Sequence, residues 1–439
     1  MEDLLAARLQ MAITLMFHII FGVVGVGLPL LMVISELRWL KTKNDVYLQV
    51  AKHWAHGAAI MFAIGAVSGT VVSFELGLLW PTFMEFAGPV IGMPFSLEGI
   101  AFFTEAIFLA IYLYGWHRIP HTAHVFSGIM VVISGACSAL IVLTANSWMN
   151  TPAGFDIVNG QVVNVSMIGA IFNPMAVPQA VHMVVAAYVT VAFAAAGIHA
   201  YYLRKNPRNL FHRKALKIAL VVGAVFAIIQ PMSGDFVARG LVKHQPLKLA
   251  ALEARFETGP NAPLTIGGIP DKETRTVKHG IEIPYLLSIL AKRDPHGVVI
   301  GLDSFPEDHW PPLVITHLSY NLMIGIGSFM ILIGILNLYY VIRKRPIHKY
   351  RNYLLLLVFC GPLGFIAVEA GWVCAEVGRQ PWIIYNIMKT ADAVTPMKGI
   401  HVTFITFTLI SIMLGFITVM FLIRQFRKAP EILSDSDED

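Results

Sequence analysis

Charge is what this chain has least of. Among its 439 residues only 13% are Asp, Glu, Lys or Arg, whereas 56% are hydrophobic, and the mean hydropathy is +0.67. Such a balance excludes a soluble globule and implies a polytopic membrane protein. Cysteine is nearly as scarce. Cys137, Cys360 and Cys374 lie in or at the ends of apolar runs and form no CxxC pair, which excludes a disulfide framework. A basic leader is missing too. The first apolar run follows Met1-Glu-Asp and leads into no small-residue cleavage site, so it reads as a retained helix rather than a signal peptide. There is no internal repeat, low-complexity linker or soluble second domain. No nucleic-acid partner is expected.

What is present is nine apolar runs, each long enough to cross a bilayer at about 20 residues. They cover roughly 13–35, 58–79, 97–116, 125–145, 181–203, 216–237, 313–342, 353–374 and 400–423. The expected fold is therefore an all-α integral membrane protein. Helices one to six fall within 1–237 and helices seven to nine within 313–424, separated by a long loop over 238–312 and followed by an acidic tail over 425–439. The tail's end, 434–439, is expected to be disordered. The formal charge is +5, and its placement orients the helices. Lys and Arg crowd the first loop (Arg38, Lys41, Lys43, Lys52), the fifth (Arg204, Lys205, Arg208, Arg213, Lys214), the seventh (Arg343, Lys344, Arg345, Lys349, Arg351) and the C-terminal tail. The second loop, 80–96, and the fourth, 146–180, have none. The positive-inside rule then puts the N-terminus outside and the C-terminus in the cytoplasm.

Against this apolar background a few polar residues stand out. The stretch Glu369-Ala-Gly-Trp-Val-Cys-Ala-Glu-Val-Gly-Arg-Gln-Pro-Trp382 closes the eighth run and carries two acids. Glu369 and Glu376 share a helix face, being about two turns apart. An acid in a membrane helix costs at least about 2.5–3.5 kcal/mol, which makes it a candidate functional group. Arg379 adds a fixed positive charge, and Trp372 and Trp382 add two indoles. Together they suit a flat, anionic, aromatic cofactor such as haem. His18, Glu98, His182, Met323 and Glu376 are potential ligands from five different helices, all expected at similar depth in the outer leaflet. His182 with Met323 is the natural axial pair of a low-spin, electron-transferring haem. His18, Glu98 and Glu376 remain for sites that keep an open position. Glu105 lies seven residues below Glu98 on the same face, a stepping stone for protons, and Ser138 and His124 lie further in. Taken alone, Ser138 reads as back-bonded to its own helix and His124 as a loop residue. His117, His121 and His124 have metal-like spacing, but Pro120 interrupts them and no metal is expected there. No second set of histidines offers a copper site beside a haem, which argues against haem–copper chemistry.

Glu376 before Gly378-Arg-Gln-Pro-Trp382, with Trp372 upstream, resembles the signature of subunit I of the cytochrome bd-type quinol oxidases. The resemblance runs over nearly the whole chain. Arg8-Leu-Gln10 ahead of His18, Leu97-Glu-Gly99 with Phe102, Phe103 and Glu105 after it, and Met323-Ile-Gly-Ile-Gly327 are all similar to that family. The resemblance implies quinol oxidation at the outer face and reduction of O2 to water, with protons drawn from the cytoplasm of a bacterial or archaeal cell. Glu98, Glu105 and Glu376 would serve catalysis, and Glu105, Ser138 and His124 the proton path. It further implies a low-spin haem b, a high-spin haem b and a haem d or a b-type haem in its place. Which of His18, Glu98 and Glu376 holds which high-spin haem stays open, as does ubiquinol against menaquinol. A second membrane subunit, and a small single-helix subunit, are the implied partners.

The segment 246–257 reads as an amphipathic helix, with Leu249, Leu252 and Phe256 on one face. It is either a helix lying on the membrane or, by its resemblance to the family's Lys-Leu-Ala-Ala-Leu-Glu motif, a quinol clamp. Glu253 would accept a phenolic proton and Lys248 would hold the developing anion. Both residues are expected to lie away from the haem ligands. One departure stands out: many family members carry Arg two residues before the ligating Met, and this chain has Asn321. Two other readings fit the residues. One is a haem-bearing quinol dehydrogenase subunit without oxygen chemistry, and the other is a proton-coupled transporter using Glu98, Glu105 and Glu376.

Overall fold

The computed structural model describes residues 3–433, so the acidic end 434–439 lies outside the described residues. Among the described residues nine helices are long and apolar enough to cross a membrane. They are α1 (Asp3–Thr42), α2 (Asp45–Leu79), α3 (Pro81–Tyr114), α4 (His121–Asn150), α6 (Ala176–Lys205), α7 (Leu210–His244), α10 (Leu313–Ile342), α11 (Arg351–Val377) and α13 (Ile400–Arg427). Side-chain caps start two of them where the sequence supplies Asn. Asn44 accepts from the Val46 N–H, and Asn209 accepts from the Phe211 and His212 N–H groups.

Two of the expected loops contain more structure than a connection needs. The segment 81–96 belongs to α3, although it contains Pro89 and Pro94. Pro81 sits at its first turn, where a missing N–H costs nothing. Neighbouring structure lets membrane helices tolerate interior prolines. At 34 residues α3 is about 51 Å long, far more than a hydrocarbon core of about 30 Å. Glu98 therefore lies mid-helix, not at the helix start as expected. His18 likewise lies about four turns inside α1, because that helix begins at Asp3. The loop 146–180 holds the end of α4, a hairpin of β1 (Asp156–Val158) and β2 (Gln161–Val163), and the short α5 (Met167–Ile171).

The bundle is built around α1 and α6. Their buried residues, among them Leu31, Met32, Val191 and Phe193, form one core with Trp54, Tyr112, Phe211 and Leu357. Glycine sets the closest approaches. A Cβ at Gly27 would stand 2.5 Å from Val191 Cγ2, and one at Gly364 would stand 2.7 Å from the Thr190 Cα. Small residues at these crossings let helix backbones pack tightly without help from the hydrophobic effect. By contrast α13 buries only Ile400 and Thr418, so it lies at the edge of the bundle.

The long connection after α7 caps one end of the bundle, called the loop end below. It contains α8 (Pro246–Leu252), α9 (Leu286–Lys292) and two small sheets, β3 (Leu264–Ile266) with β6 (Ile281–Ile283) and β4 (Ile269–Asp271) with β5 (Thr276–Lys278). The helix expected over 246–257 stops at Leu252, and Ala254 turns left-handed with φ 48°. Leu247 to Leu252 are all buried, Lys248 included. The segment is therefore neither amphipathic nor exposed on the membrane surface, and Phe256 packs in a separate cluster with Trp310 and Leu302.

Gly364→Leu should force α6 and α11 apart and destabilise the fold by about 1–3 kcal/mol. Thermal unfolding in detergent should show a lower midpoint than for an Ala substitution on the exposed face of α13, such as Leu409→Ala.

Candidate functional site

The last turn of α11 carries the centre of the site. Glu376 Oε2 accepts from Arg379 Nη2 at 2.5 Å, and Oε1 accepts from Asn146 Nδ2 of α4 at 2.6 Å. One turn further along α4, Asn150 donates to the Asn146 carbonyl at 2.9 Å and presents Oδ1 to α8. There Lys248 Nζ donates to Asn150 Oδ1 at 2.6 Å and to the Ala375 carbonyl at 2.9 Å. From α1, Arg8 Nη2 donates to Gln380 Oε1 at 2.9 Å. Four helix ends thus converge on Glu376-Val-Gly-Arg-Gln. Gly378 is required here: a Cβ would come within 2.4 Å of the Cys374 carbonyl and 3.4 Å of the Lys248 side chain.

Lys248 was expected to stand apart from the ligand positions, and the structure corrects this. Its ammonium bonds the carbonyl of the residue before Glu376. Burial, then the Arg379 charge, lowers its pKa to about 7, against the opposing pull of Glu376 and Cys374. Glu253 follows α8 and is also buried. Its Oε1 accepts from the Tyr320 hydroxyl of α10 at 2.8 Å, and among the described residues Oε2 has no partner. Burial raises its pKa to about 7, against the Tyr320 hydrogen bond. Lys248 and Glu253 are thus fixed between α4, α10 and α11.

The other candidates fall on two sides of the core. His18 Nδ1 pairs with Ser68 Oγ of α2 at 2.9 Å, leaving Nε2 available. A Cβ at Gly69 would crowd the same ring at 3.0 Å. His182, in the second turn of α6, pairs Nδ1 with Ser233 Oγ of α7 at 3.0 Å. Orienting one imidazole nitrogen in this way directs the other toward a metal; in His182 the Gln230 amide of α7 stands 3.3 Å from both ring nitrogens. Met323 packs with Tyr320 against Leu249, Leu252 and Cys374, and a Cβ at Gly371 would touch its sulfur at 3.0 Å.

Along α3 and α4 the acids line up, in an order that differs from expectation. Ser138 Oγ donates to Glu98 Oε1 at 2.9 Å, so it stands level with Glu98 and not deeper than Glu105. Because α3 and α4 run antiparallel, the pairing of 98 with 138 puts Glu105 further from the loop end. Glu105 is buried, and glycine makes room for it: a Cβ at Gly135 would meet its carboxylate at 3.2 Å. At the far end His124 Nδ1 bonds Glu36 Oε1 at 2.7 Å, and Nε2 bonds the Tyr112 carbonyl at 2.9 Å. His124 is in the first turn of α4 and fully packed, not a loop residue.

The chain matches the model of the family "Cytochrome bd terminal oxidase subunit I" over residues 6–430. It is 41% identical over 437 residues to a putative cytochrome bd menaquinol oxidase subunit I of Bacillus subtilis, covering 98% of each chain. A cytochrome bd ubiquinol oxidase subunit 1 of the same organism is 33% identical over 445 residues, covering 98% of this chain and 95% of that one. This chain belongs to the cytochrome bd terminal oxidase subunit I family. Among solved structures it is similar to the bd oxidase from Geobacillus thermodenitrificans, with a TM-score of 0.93, 40% identity, and coverage of 98% of this chain and 99% of that one.

Membership implies haem, and the side chains fit it. Among the described residues the buried Arg379 Nε and Nη1, Arg8 Nε, and the indole N–H groups of Trp372 and Trp382 have no partner. Each such buried donor costs about 1–3 kcal/mol if left unpaired. Guanidinium donors facing no carboxylate of their own suit the propionates of a bd-family haem. Both oxygens of Glu369 are unpaired as well. Arg8, Asn146, Asn150, Tyr320 and Glu36 escape the sequence reading. The repeat of Asn146 and Asn150 one turn apart at the end of an apolar helix is the signal that points to two of them. Tyr320 and Glu36 carry no such signal.

Glu253 gives the site a testable pH dependence. Its carboxyl titrates near 4.5 when unfolded and near 7 when folded. The folded state therefore holds the extra proton between these values, and this contribution to stability falls as pH rises from about 4.5 to 7. Lys248 acts oppositely and adds stability as pH rises from about 7 to 10.5. Glu253→Gln should abolish the loss on the acid side. Thermal midpoints measured across that window check it: parallel curves for both proteins would contradict the buried, proton-holding Glu253.

Proposed function

We propose that this chain oxidises quinol at its loop end and delivers the electrons through three haems to O2, which is reduced to water. Family membership makes it a multi-pass membrane subunit of a bacterial quinol:oxygen oxidoreductase, so haem and a second subunit come with it. The finer assignments are inferences from the residues. His182 and Met323 would hold the low-spin haem b. His18, Glu98 and Glu376 would serve the high-spin haem b and the haem d, or a b-type haem in its place. Such haems supply one-electron transfer and an open iron position for O2. The loop end is read as the outer face, by the loop charges. A second membrane subunit and a small single-helix subunit complete the assembly.

The observation that carries this reading is the junction of Lys248 with the α11 turn at Ala375. Glu253 is held by Tyr320 with Oε2 free, so it can accept a phenolic proton from quinol. Lys248 is held on Asn150 and the Ala375 carbonyl, which ties the quinol helix to the α11 turn that carries Glu376 and Arg379. Protons for water formation come from the opposite end, past the Glu36–His124 pair and Glu105 to Glu98, with the Ser138 hydroxyl bonded to Glu98. Charge is then separated by release on one side and uptake on the other. The proton-coupled transporter reading shares these acids but gives no role to the free donors of Arg8, Arg379, Trp372 and Trp382.

His182→Ala and Met323→Leu should each abolish the low-spin haem signal in the reduced-minus-oxidised spectrum while leaving carbon-monoxide binding in place. A low-spin spectrum unchanged in both variants would overturn the pairing.

A further inference from the structure

Asn321 of α10 is uncharged, and a histidine beside it can supply a charge. His317 lies one turn earlier on α10 and is fully buried. Its Nδ1 is 2.7 Å from the Leu252 carbonyl oxygen and its Nε2 is 2.9 Å from the Gly267 carbonyl oxygen. Carbonyl oxygens only accept hydrogen bonds. A neutral imidazole has a single N–H, and only the imidazolium donates from both nitrogens. The Asn321 amide does not relieve this. Its Nδ2 donates to the His317 carbonyl at 3.0 Å and stands 3.4 Å from Nδ1 and 3.2 Å from Nε2. Being nearly equidistant from both nitrogens, it lies over the ring face and not on an in-plane lone pair. Asn321 Oδ1 in turn accepts the Gly267 N–H at 2.8 Å.

We propose that His317 is held as an imidazolium, and that it supplies beside Met323 the positive charge that Asn321 does not, favouring the reduced form of the low-spin haem. This rests on the His182–Met323 reading. Met323 is six residues further along α10, about 9 Å of helix rise. A buried unit charge is felt over that distance because the surroundings screen it weakly. His317 is a positioning residue as well as a charge. Together with Tyr320 it grips the loop at Leu252 and Glu253, so α10 holds the quinol-side acid and the Met ligand on one rigid element.

Other charged groups lie on the elements packed around α10. They are Lys248 and Glu253 at α8, and Asp271 of β4 paired with Lys278. On α7, Asp235 is paired with Arg239 and Arg293. On α11 they are Glu376 paired with Arg379, and Glu369, whose oxygens have no partner among the described residues. Of these, Glu369 and Glu253 are the acids that could share in balancing the imidazolium.

The test is a redox titration of the low-spin haem in the purified, haem-loaded complex. His317→Gln keeps an N–H donor but no charge. Its potential should fall below that of the native protein. Added to this variant, Asn321→Arg places a permanent cation one turn away, and the double variant should recover much of the lost potential. A potential unchanged in His317→Gln, or lowered and not raised again in the double variant, would overturn the proposal. If His317→Gln fails to retain haem, His317→Asn is read in the same way. Loss of the low-spin spectrum in His182→Ala and Met323→Leu is read separately, so a failed haem pairing is distinguishable from a neutral His317.

Discussion

The carboxylate of Glu376, clamped between Arg379 and Asn146, is the constraint on which the loop end depends. A carboxylate and a guanidinium at the end of an apolar helix are tolerable only when each is paired and their neighbours are ordered. Asn146 meets that need from α4, and Asn150 passes the order on to Lys248. Arg8 and Gln380 bring in α1. Among the described residues Arg379 Nε and Nη1 have no partner, and such donors suit an anionic group. The hydrogen bonds order the Glu376 turn from three neighbouring helices.

The same network ties the loop to the bundle. Tyr320 bonds Glu253, His317 bonds the Leu252 carbonyl, and Met323 continues on the same helix. On the other flank Lys248 bonds the backbone of α11. The loop after α7 is therefore not a lid laid over a finished bundle. It is packed between the helices that carry the proposed haem ligands, and displacing it would disturb both.

The nine spans were readable because apolar runs of bilayer length have few alternative explanations. The ligand candidates were readable for a related reason, since His, Met and Glu are conspicuous in such runs. Helix ends were not, because proline is a poor stop signal inside a membrane bundle; α3 passes through Pro89 and Pro94. The burial of α8 was not either. Leu249 and Leu252 suggest one apolar face, yet Lys248 on the other face is equally buried. Its partners are Asn150, about a hundred residues earlier in the chain, and a backbone carbonyl, and neither leaves a local pattern. Glu36 was hidden likewise among the charges at the end of α1, and only its contact with His124 sets it apart.

The central claim is that α8 and the Glu376 turn form one bonded unit. Lys248→Met keeps the length of the side chain and removes its bonds to Asn150 and Ala375. The most direct measurement is the carbon-monoxide difference spectrum of this variant, beside its oxygen uptake with quinol and with an artificial one-electron donor. The account predicts a perturbed carbon-monoxide spectrum and reduced uptake with both donors. An unaltered spectrum, with loss confined to quinol, would contradict it and return Lys248 to a separate binding loop.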